Sequence, residues 1–563
     1  MKHFWLFIAI YYLTTGCSTQ QRGRYQDTHT YKNGAVVTAH PIASAIGVDI
    51  LKQGGNAIDA AIAVKFALAV VYPNAGNIGG GGFMVYRSKD GEVAALDFRE
   101  KAPSAASRDM YLDKKGEPIT DLSLYGQLAA GVPGSVAGMD AAYKKHGSLP
   151  WKQLLAPAIQ LAQQGFPITA QQAGEFNRYR ERFQQHNQEG TAIIKEVPWE
   201  QGDLFIQTDL ATTLQRIAQE GRNGFYKGVT ADYIVQEMKR GNGIISHQDL
   251  ADYEAIWRTP IVGFYKGHKI ISMPPPSSGG IALLALLQSI ENYPLREWGF
   301  QADSTVRAIV EAERRIYADR ATHMGDPDFY HVPTEALTDA QFNKARMAKV
   351  SLAKATDSEQ VKASKFPGYE SEETTHFSIV DKEGNAVSLT TTINGSYGSC
   401  VWVNGAGFLL NNEMDDFSVK PGSPNMYGLL GGKANAIQPG KRMLSAMTPT
   451  IIEKEGKLKM VVGTPGGSTI ITSVLQTILN VLEFDMTAQE SVSAARFHHQ
   501  WKPDYIDVEE KAIDLETRKS LEKDGYKINK RGPIGRVENI VILPDGSLQT
   551  GADPRGDDKA MGY

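Results

Sequence analysis

The sequence is poor in the features that mark several protein classes. Its 563 residues include two cysteines, Cys17 and Cys400, which excludes a disulfide framework and a cysteine-rich metal site. The formal net charge is −4, so the basic surface typical of nucleic-acid-binding proteins is missing. No segment after residue 17 is long and apolar enough to predict a membrane-spanning helix. What is abundant is glycine, with 55 residues, which indicates many tight turns or close approaches of the backbone.

A short apolar stretch lies at the N-terminus. It follows the positive Lys2 and His3 and covers residues 4–13, which is too short to span a bilayer as a helix. This pattern is typical of a secretory signal. The letters LTTGCS that follow resemble a bacterial lipobox, although the leucine lies one place further from Cys17 than usual. We predict export, with residues 1–17 as signal peptide and Cys17 as lipidation site. The alternative, a buried N-terminal helix, is disfavoured by the polar QQRGRYQDTHT after it.

The rest of the chain changes character near residue 373. Residues 150–300 carry mainly helical patterns, whereas runs that alternate between apolar and polar residues dominate after residue 373. Between these parts, residues 355–373 contain almost no apolar side chains, which predicts an exposed or flexible segment. Residues 375–393, THFSIVDKEGNAVSLTTTI, predict a hairpin. The sequence therefore indicates a helix-rich first part and a sheet-rich last third.

The stretch SEETTHFSIV allows two interpretations. In one, a linker simply meets a strand. In the other, the chain is cut between Glu373 and Thr374, and Thr374 becomes an N-terminal nucleophile. A threonine hydroxyl is a weak nucleophile that needs a base, and a free α-amine with a pKa of about 7.7–8.0 would supply one. Composition alone does not decide between the two.

A glycine-rich turn, GTPGGS, joins a predicted strand to a predicted helix at residues 463–468. Such a turn leaves backbone N–H groups at a helix N-terminus, where they favour negative charge. A nucleotide phosphate loop is disfavoured because the GKS or GKT signature and the GxGxxG spacing are absent. An oxyanion hole and a purely structural turn remain open.

An acidic cluster, NNEMDDFS, contains Glu413, Asp415 and Asp416 at the end of an apolar strand. Clustered carboxylates serve as metal ligands, as general acids and bases, or as a pocket for an ammonium group. Histidines at metal-ligand spacing are missing, and the adjacent His498 and His499 are interpreted as structural. An ammonium pocket or solvent-facing charge remains.

Together these motifs resemble the γ-glutamyltranspeptidase family. THFSIVDKEGNAVSLTTTIN, LLNNEMDDFS, KRMLSAMTPTI and GTPGGS carry the resemblance, with NAGNIGGGGFMVY and LDFRE upstream and DPRGDDKAMGY at the end. The resemblance implies an α+β fold, the four-layer αββα sandwich of N-terminal nucleophile hydrolases. It also implies a precursor that cuts itself into a large subunit, residues 18–373, and a small subunit, residues 374–563, which stay together as a heterodimer.

The resemblance further implies a role for each site residue. Thr374 would be the nucleophile, and Thr392 would support it. Asn394, Glu413 and Asp416 would bind the α-ammonium of a γ-glutamyl group, and Arg99 and Ser445 would bind its α-carboxylate. Gly466 and Gly467 would form the oxyanion hole. Tyr427 would belong to a lid over the pocket.

The implied activity is cleavage of glutathione and other γ-glutamyl compounds, with transfer to water or to an amino acid or peptide amine. It needs no metal or organic cofactor, and the implied location is the bacterial periplasm. One departure concerns Ala446, because the family usually has a second serine there. Two alternatives are an acylase of the same fold that takes glutaryl or cephalosporin side chains, and an uncut binding protein without catalysis.

Overall fold

Two seven-stranded antiparallel sheets dominate the computed structural model, which describes residues 29–363, 375–420, 426 and 433–563. The strands in chain order are β1 (Thr30–Tyr31), β2 (Ala35–Thr38), β3 (Gly81–Arg87), β4 (Val93–Asp97), β5 (Phe166–Pro167), β6 (Leu204–Phe205), β7 (Ile256–Arg258), β8 (Ile261–Tyr265), β9 (His268–Ser272), β10 (Thr375–Val380), β11 (Ala386–Thr392), β12 (Trp402–Val403), β13 (Phe408–Leu409), β14 (Thr450–Lys454), β15 (Lys457–Gly463), β16 (Phe497–His498), β17 (Ile506–Val508), β18 (Ile528–Lys530), β19 (Glu538–Ile542), β20 (Leu548–Ala552) and β21 (Lys559–Gly562).

The first sheet has the strand order β21-β2-β10-β11-β3-β4-β7, and the second has the order β1-β20-β19-β15-β14-β9-β8. The predicted hairpin around residue 383 is confirmed as β10 and β11, which pair from Thr375 opposite Thr391 to Val380 opposite Ala386. This hairpin lies in the middle of the first sheet, because β10 also pairs with β2 and β11 also pairs with β3. The C-terminal third of the chain thus completes a sheet that the N-terminal part begins.

Helices cover the outer faces of both sheets. They are α1 (Pro41–Lys52), α2 (Ala57–Val71), α3 (Thr120–Leu124), α4 (Ser135–His146), α5 (Trp151–Gln164), α6 (Ala170–His186), α7 (Thr208–Glu220), α8 (Asn223–Tyr226), α9 (Gly228–Arg240), α10 (His247–Ala251), α11 (Gly279–Ile290), α12 (Leu295–Trp298), α13 (Asp303–His323), α14 (Thr334–Leu337), α15 (Ala340–Met347), α16 (Thr469–Leu482), α17 (Ala488–Ser493) and α18 (Leu515–Lys523). Short 3₁₀ helices lie at Gln127–Ala129, Glu413–Asp416 and Lys433–Asn435.

Strand β3 shows how the layers form. Met84 and Tyr86 belong to the apolar cluster shared with α1, α2 and α5, whereas Phe83 and Val85 belong to the cluster shared with the second sheet and with α11, α13 and α16. Successive side chains of a strand point to opposite faces, so β3 contributes to both clusters. The resulting order is helix, sheet, sheet, helix. The predicted α+β, four-layer αββα architecture is confirmed.

The segment that composition predicts to be exposed or flexible is anchored where the structure describes it. Ser358 is 1% exposed, accepts a hydrogen bond from Arg314 Nη1 at 2.5 Å and donates its N–H to Asp504 Oδ2 at 3.0 Å. Its carbonyl accepts a hydrogen bond from Trp501 Nε1 at 2.9 Å. Ser358 is therefore held by polar contacts, which apolar content does not reveal, whereas Asp357, Glu359, Gln360 and Lys362 are exposed as predicted. Residues 364–373 lie outside the described residues.

Polar side chains join the two sheets at β10. His376 Nδ1 forms a hydrogen bond with Thr390 Oγ1 at 2.9 Å, and Nε2 forms one with Ser378 Oγ at 3.1 Å. Ser378 Oγ in turn donates to the carbonyl of Glu538 in the second sheet at 3.1 Å. Burial lowers the pKa of His376 to about 3, so the imidazole is neutral between the sheets.

A pH-dependent stability follows for His376. Its folded pKa lies below the value of about 6.5 in an unfolded chain, so its contribution to stability is present above pH 6.5 and is lost as the pH falls, by about 1.4 kcal/mol per pH unit. His376→Gln removes this loss. We expect calorimetry to show that the gap in melting temperature between wild type and variant shrinks from pH 7 to pH 5. His29→Gln, at an exposed position, is the control. A gap that does not change with pH would contradict the neutral imidazole.

Candidate active site

The predicted site residues within the described ranges converge at one end of the first sheet. Arg99 follows the end of β4, and Thr392 ends β11 opposite Gly81, the first residue of β3. The end of β15 packs here as well, because a Cβ on Gly463 would lie 2.3 Å from Cε1 of His376 near the start of β10. Segments that are distant in the sequence thus meet where five strands begin or end. Among the predicted residues, Cys17, Glu373, Thr374 and Tyr427 lie outside the described residues.

A buried arginine and two buried acids form the centre of the site. The guanidinium of Arg99 contacts Glu413 Oε2 at 2.5 Å and also the carboxylate of Asp416, and all three side chains are at most 1% exposed. Burial alone would lower the pKa of Arg99, but Glu413 and Asp416 raise it above its ordinary value. Burial raises the pKa of Glu413, and Arg99 opposes this effect. Each charge is tolerated because the other is present.

This cluster is suited to the two charged ends of an amino acid. The planar guanidinium offers paired N–H donors that match a carboxylate. Carboxylates of Glu413 and Asp416 accept hydrogen bonds, as an ammonium group requires. A group that carries both charges can therefore take the place of the internal contacts: its carboxylate binds Arg99 and its ammonium binds the two acids.

Backbone contacts fix Arg99 beside Ser445. Arg99 Nε donates to the carbonyl of Met443 and Nη2 to the carbonyl of Leu444, each at 3.2 Å. The carbonyl of Arg99 accepts a hydrogen bond from the Tyr253 hydroxyl at 2.7 Å. Ser445 follows Leu444 in the chain. Its Oγ accepts a hydrogen bond from the backbone N–H of Met447 at 3.2 Å, so the hydroxyl hydrogen of Ser445 can still be donated. The predicted pair for a carboxylate, Arg99 and Ser445, lies together.

The residue after Ser445 differs in character. Ala446 is fully buried and belongs to the same apolar cluster as Leu444 and Met447. Its carbonyl accepts a hydrogen bond from Thr448 Oγ1 at 2.7 Å. The side chain of residue 446 contributes packing and no hydrogen bond. Of these two adjacent positions, Ser445 is therefore the one with a hydroxyl to offer.

Thr392 and Asn394 are hydrogen-bonded to each other, and Asn394 is bonded to the residue that precedes Glu413. Thr392 Oγ1 accepts the N–H of Asn394 at 2.7 Å, and the Thr392 side chain lies beside Glu413, whose pKa it lowers against the effect of burial. Asn394 has a φ of 66°, a left-handed conformation that asparagine tolerates better than most residues. Its Nδ2 donates to the carbonyl of Asn412 at 3.0 Å. This hydrogen bond holds the turn after β11 against the start of the 3₁₀ helix that carries Glu413 and Asp416.

The Gly466–Gly467 turn lies at the N-terminus of α16. The two glycines have φ values of 137° and 62°, in the region that favours glycine. Within the part of the chain that the structure describes, the N–H groups of Gly466 and Gly467 donate to no other residue. Two adjacent donors at a helix N-terminus favour a negatively charged oxygen. The geometry suits the predicted oxyanion hole, and the GTPGGS turn does not carry a phosphate-loop lysine.

Helix α13 supports both sides of the site. The Tyr317 hydroxyl donates to the carbonyl of Ser468, beside the glycine turn, at 2.5 Å. One turn further, Arg320 Nε donates to Ser278 Oγ at 2.7 Å, and Ser278 Oγ donates to the carbonyl of Ser445 at 2.7 Å. Helix α13 thus contacts both the glycine turn of the predicted oxyanion hole and the Ser445 segment predicted to bind a carboxylate.

A buried polar group behind Thr392 was not predicted from the sequence. Lys65 in α2 donates from Nζ to the carbonyl of Asn77, and Asn77 Nδ2 donates to the carbonyl of Thr392 at 2.8 Å. Burial lowers the pKa of Lys65 to about 7, and Glu100 opposes this shift. Burial also raises the pKa of Glu100 to about 7. A signal was present: Lys65 is the one basic residue within the apolar stretch AIAVKFALAVV.

Comparisons with known proteins agree with this geometry. The family model described as gamma-glutamyltranspeptidase matches residues 43–563. The glutathione hydrolase proenzyme of Escherichia coli (strain K12) is 46% identical over 535 residues, which cover 94% of this chain and 92% of that protein.

Two solved structures are also similar to this chain. The cephalosporin acylase from Bacillus halodurans superposes with a TM-score of 0.85 at 26% identity, over 98% of this chain and 99% of that one. The gamma-glutamyltranspeptidase of Helicobacter pylori superposes with a TM-score of 0.58 at 46% identity, over 60% of this chain and 97% of that chain. Since the family model matches almost the whole chain, this protein belongs to the gamma-glutamyltranspeptidase family, as its motifs predicted.

Proposed function

We propose that the protein is a self-processing γ-glutamyltransferase and glutathione hydrolase. It cleaves the γ-glutamyl amide of glutathione and related compounds and passes the γ-glutamyl group to water or to the amine of an amino acid or peptide. The observation that carries this proposal is the buried cluster of Arg99, Glu413 and Asp416, which offers partners for both charged ends of a γ-glutamyl group. The 46% identical relative from Escherichia coli is named a glutathione hydrolase proenzyme, which supports the same activity here.

The proposed nucleophile is Thr374, released as a new N-terminus by a cut after Glu373. In the sequence it immediately precedes β10, whose first residue, Thr375, pairs with Thr391. Thr392 is the next residue of β11, and its side chain lies beside Glu413 and lowers the pKa of that carboxyl. The start of β10 is therefore close to the acidic cluster, which favours a nucleophile at this point of the chain.

The proposed reaction has two steps. The hydroxyl oxygen of Thr374 attacks the γ-carbonyl carbon, and the N–H groups of Gly466 and Gly467 stabilise the negative oxygen. The α-amine of Thr374 takes the hydroxyl proton and gives it to the leaving amine as the amide bond breaks. The product is a γ-glutamyl ester of Thr374. Water or an acceptor amine then attacks this ester, and the proton returns to the Thr374 oxygen.

The sheet pairing supports a stable heterodimer after the cut. Strands β10 and β11 belong to the proposed small subunit, residues 374–563, and pair with β2 and β3 of the proposed large subunit, residues 18–373. Breaking the peptide bond after Glu373 leaves these hydrogen bonds in place. The two chains are therefore expected to remain associated through the centre of the first sheet.

Export and lipidation remain proposals based on the N-terminal sequence. Residues 1–17 form the proposed signal peptide, Cys17 the proposed lipidation site, and the bacterial periplasm the proposed location. Within the described ranges, no helix combines the length and apolar character needed to cross a bilayer. Mass spectrometry of the mature N-terminus would test the lipid, because an unmodified residue other than Cys17 there would contradict it.

A second candidate is an acylase that accepts glutaryl or cephalosporin side chains. The cephalosporin acylase from Bacillus halodurans has the same fold, and Ala446 lacks the second hydroxyl at the carboxylate site. A glutaryl group has the carboxylate of a γ-glutamyl group but no ammonium. It would leave Glu413 and Asp416 without a positive partner from the substrate. The acids therefore favour the γ-glutamyl donor.

A comparison of two anilides tests the proposed function. The purified protein is expected to release the amine from γ-glutamyl anilide with a kcat/KM about 100-fold higher than from glutaryl anilide, since the ammonium adds hydrogen bonds to charged acceptors. Asp416→Asn removes one negative charge with little change in shape and should narrow this ratio. A higher kcat/KM for the glutaryl donor would favour the acylase, and no release from either donor would contradict catalysis.

A further inference from the structure

The N–H groups of the Gly466–Gly467 turn belong to peptide units that glycine leaves free to rotate. Glycine occupies positive and negative φ with similar ease, because it has no Cβ. Rotation of either peptide unit would turn its N–H group away from the site at little steric cost. An oxyanion hole works only when its donors are held in place before the reaction. Some group outside the glycines must fix these two peptide units.

Threonine hydroxyls hold both peptide units on their carbonyl side. A trans peptide unit is planar, so its C=O and N–H point in opposite directions. Thr464 Oγ1 donates to the carbonyl of Pro465 at 2.7 Å, and this carbonyl shares a peptide unit with the N–H of Gly466. Thr469 Oγ1 donates to the carbonyl of Gly466 at 2.5 Å, and this carbonyl shares a peptide unit with the N–H of Gly467.

We propose that Thr464 and Thr469 are positioning residues for catalysis: their hydroxyls fix the direction of the Gly466 and Gly467 N–H groups. The inference rests on the proposed function, in which these N–H groups stabilise the oxyanion. Neither threonine needs to touch the substrate. Each hydroxyl donates a hydrogen bond to the carbonyl of a peptide unit, and the N–H on the opposite side of that unit therefore remains directed into the site.

The Thr464 hydroxyl is itself oriented by its surroundings. The N–H of Arg536 donates to Thr464 Oγ1 at 2.8 Å, so the oxygen is an acceptor there and its hydrogen is directed to Pro465. Thr464 is fully buried. The backbone at Gly535 approaches closely, since a Cβ on Gly535 would lie 3.0 Å from Thr464 Oγ1. Little room remains for the hydroxyl to turn elsewhere.

The two threonines are not equivalent. The carbonyl of Gly466 accepts a second hydrogen bond, from the N–H of Thr469 at 3.1 Å, which remains when the hydroxyl is removed. The carbonyl of Pro465 has the Thr464 hydroxyl as its donor. Loss of the Thr464 hydroxyl should therefore release its peptide unit more fully than loss of the Thr469 hydroxyl.

The test compares valine and serine at both positions. Thr464→Val and Thr469→Val keep the shape but lose the hydroxyl, whereas Thr464→Ser and Thr469→Ser keep the hydroxyl. Steady-state kinetics with γ-glutamyl anilide are measured on the full protein, with rates expressed per processed chain and melting temperatures recorded. Thr464→Val should lower kcat by about 10- to 100-fold, less than the ~10²–10³-fold cost of losing a donor itself. KM should stay within about 3-fold, and Thr469→Val should have the smaller effect.

Recovery of kcat in the serine variants supports the inference, because a merely structural role would make the loss of the methyl group at least as harmful. Three results would overturn it while the wild type is active: a kcat of both valine variants within about 3-fold of wild type, a loss confined to KM, or serine variants as slow as valine variants. An inactive wild type would overturn the proposed function, and this inference with it.

Discussion

Thr374→Ala is expected to give a single uncut chain that releases no amine from γ-glutamyl anilide. The same hydroxyl is proposed to start the cut after Glu373 and to attack the substrate, so one substitution removes both reactions. Activity should fall by at least about 10³-fold, as expected when a covalent nucleophile is lost. A denaturing gel shows the chain number, and N-terminal sequencing of the smaller wild-type chain should start Thr-Thr-His-Phe-Ser.

The matched control is Thr374→Ser, which keeps a hydroxyl and a free α-amine after the cut. We expect it to yield two chains and to retain measurable turnover. Two chains from Thr374→Ala would show that another group makes the cut. An uncut but folded wild type that binds glutamate would favour the alternative of a binding protein without catalysis.

The sequence predicted local elements well where one physical signal dominates. The alternation in THFSIVDKEGNAVSLTTT predicted β10 and β11. The helical periodicity of ASAIGVDILKQGGNAIDAAIAVKFALAVV, broken by the paired glycines, is likewise typical of two helices and coincides with α1 and α2. The fold class and the site residues came from the order of motifs, which resembled a family. Neither periodicity nor spacing predicts that β10 pairs with β2 across more than 300 residues of chain.

The parts of the site that escaped prediction depend on long-range contacts. Arg99 and Asp416 are 317 positions apart in the sequence, and their direct ion pair follows only from the folded arrangement. The pKa shifts of Lys65 and Glu100 arise from burial, which a sequence does not state. Thr464 and Thr469 resemble ordinary strand and helix residues until the hydrogen bonds to the glycine turn are known.

Replacing Arg99 should have the second large effect. Arg99→Met removes the cation that both neutralises Glu413 and Asp416 and is proposed to bind the α-carboxylate. Loss of one partner from a buried ion pair costs about 3–5 kcal/mol, so the variant should melt at a lower temperature. We also expect kcat/KM for γ-glutamyl anilide to fall by at least about 100-fold, mainly through KM. Arg99→Lys keeps the charge but not the paired donors, and should give an intermediate loss.

A triple variant separates stability from substrate binding. Adding Glu413→Gln and Asp416→Asn to Arg99→Met removes the buried charges that were left unpaired, so the melting temperature should recover. The affinity for the γ-glutamyl donor should not recover, because the partners of both substrate charges are then absent. If Arg99→Met alone keeps KM within about 3-fold of wild type, the α-carboxylate is bound elsewhere. If the triple variant regains activity together with stability, the cluster of Arg99, Glu413 and Asp416 contributes to folding and not to substrate binding. The amino-acid end of the substrate would then bind in another part of the pocket.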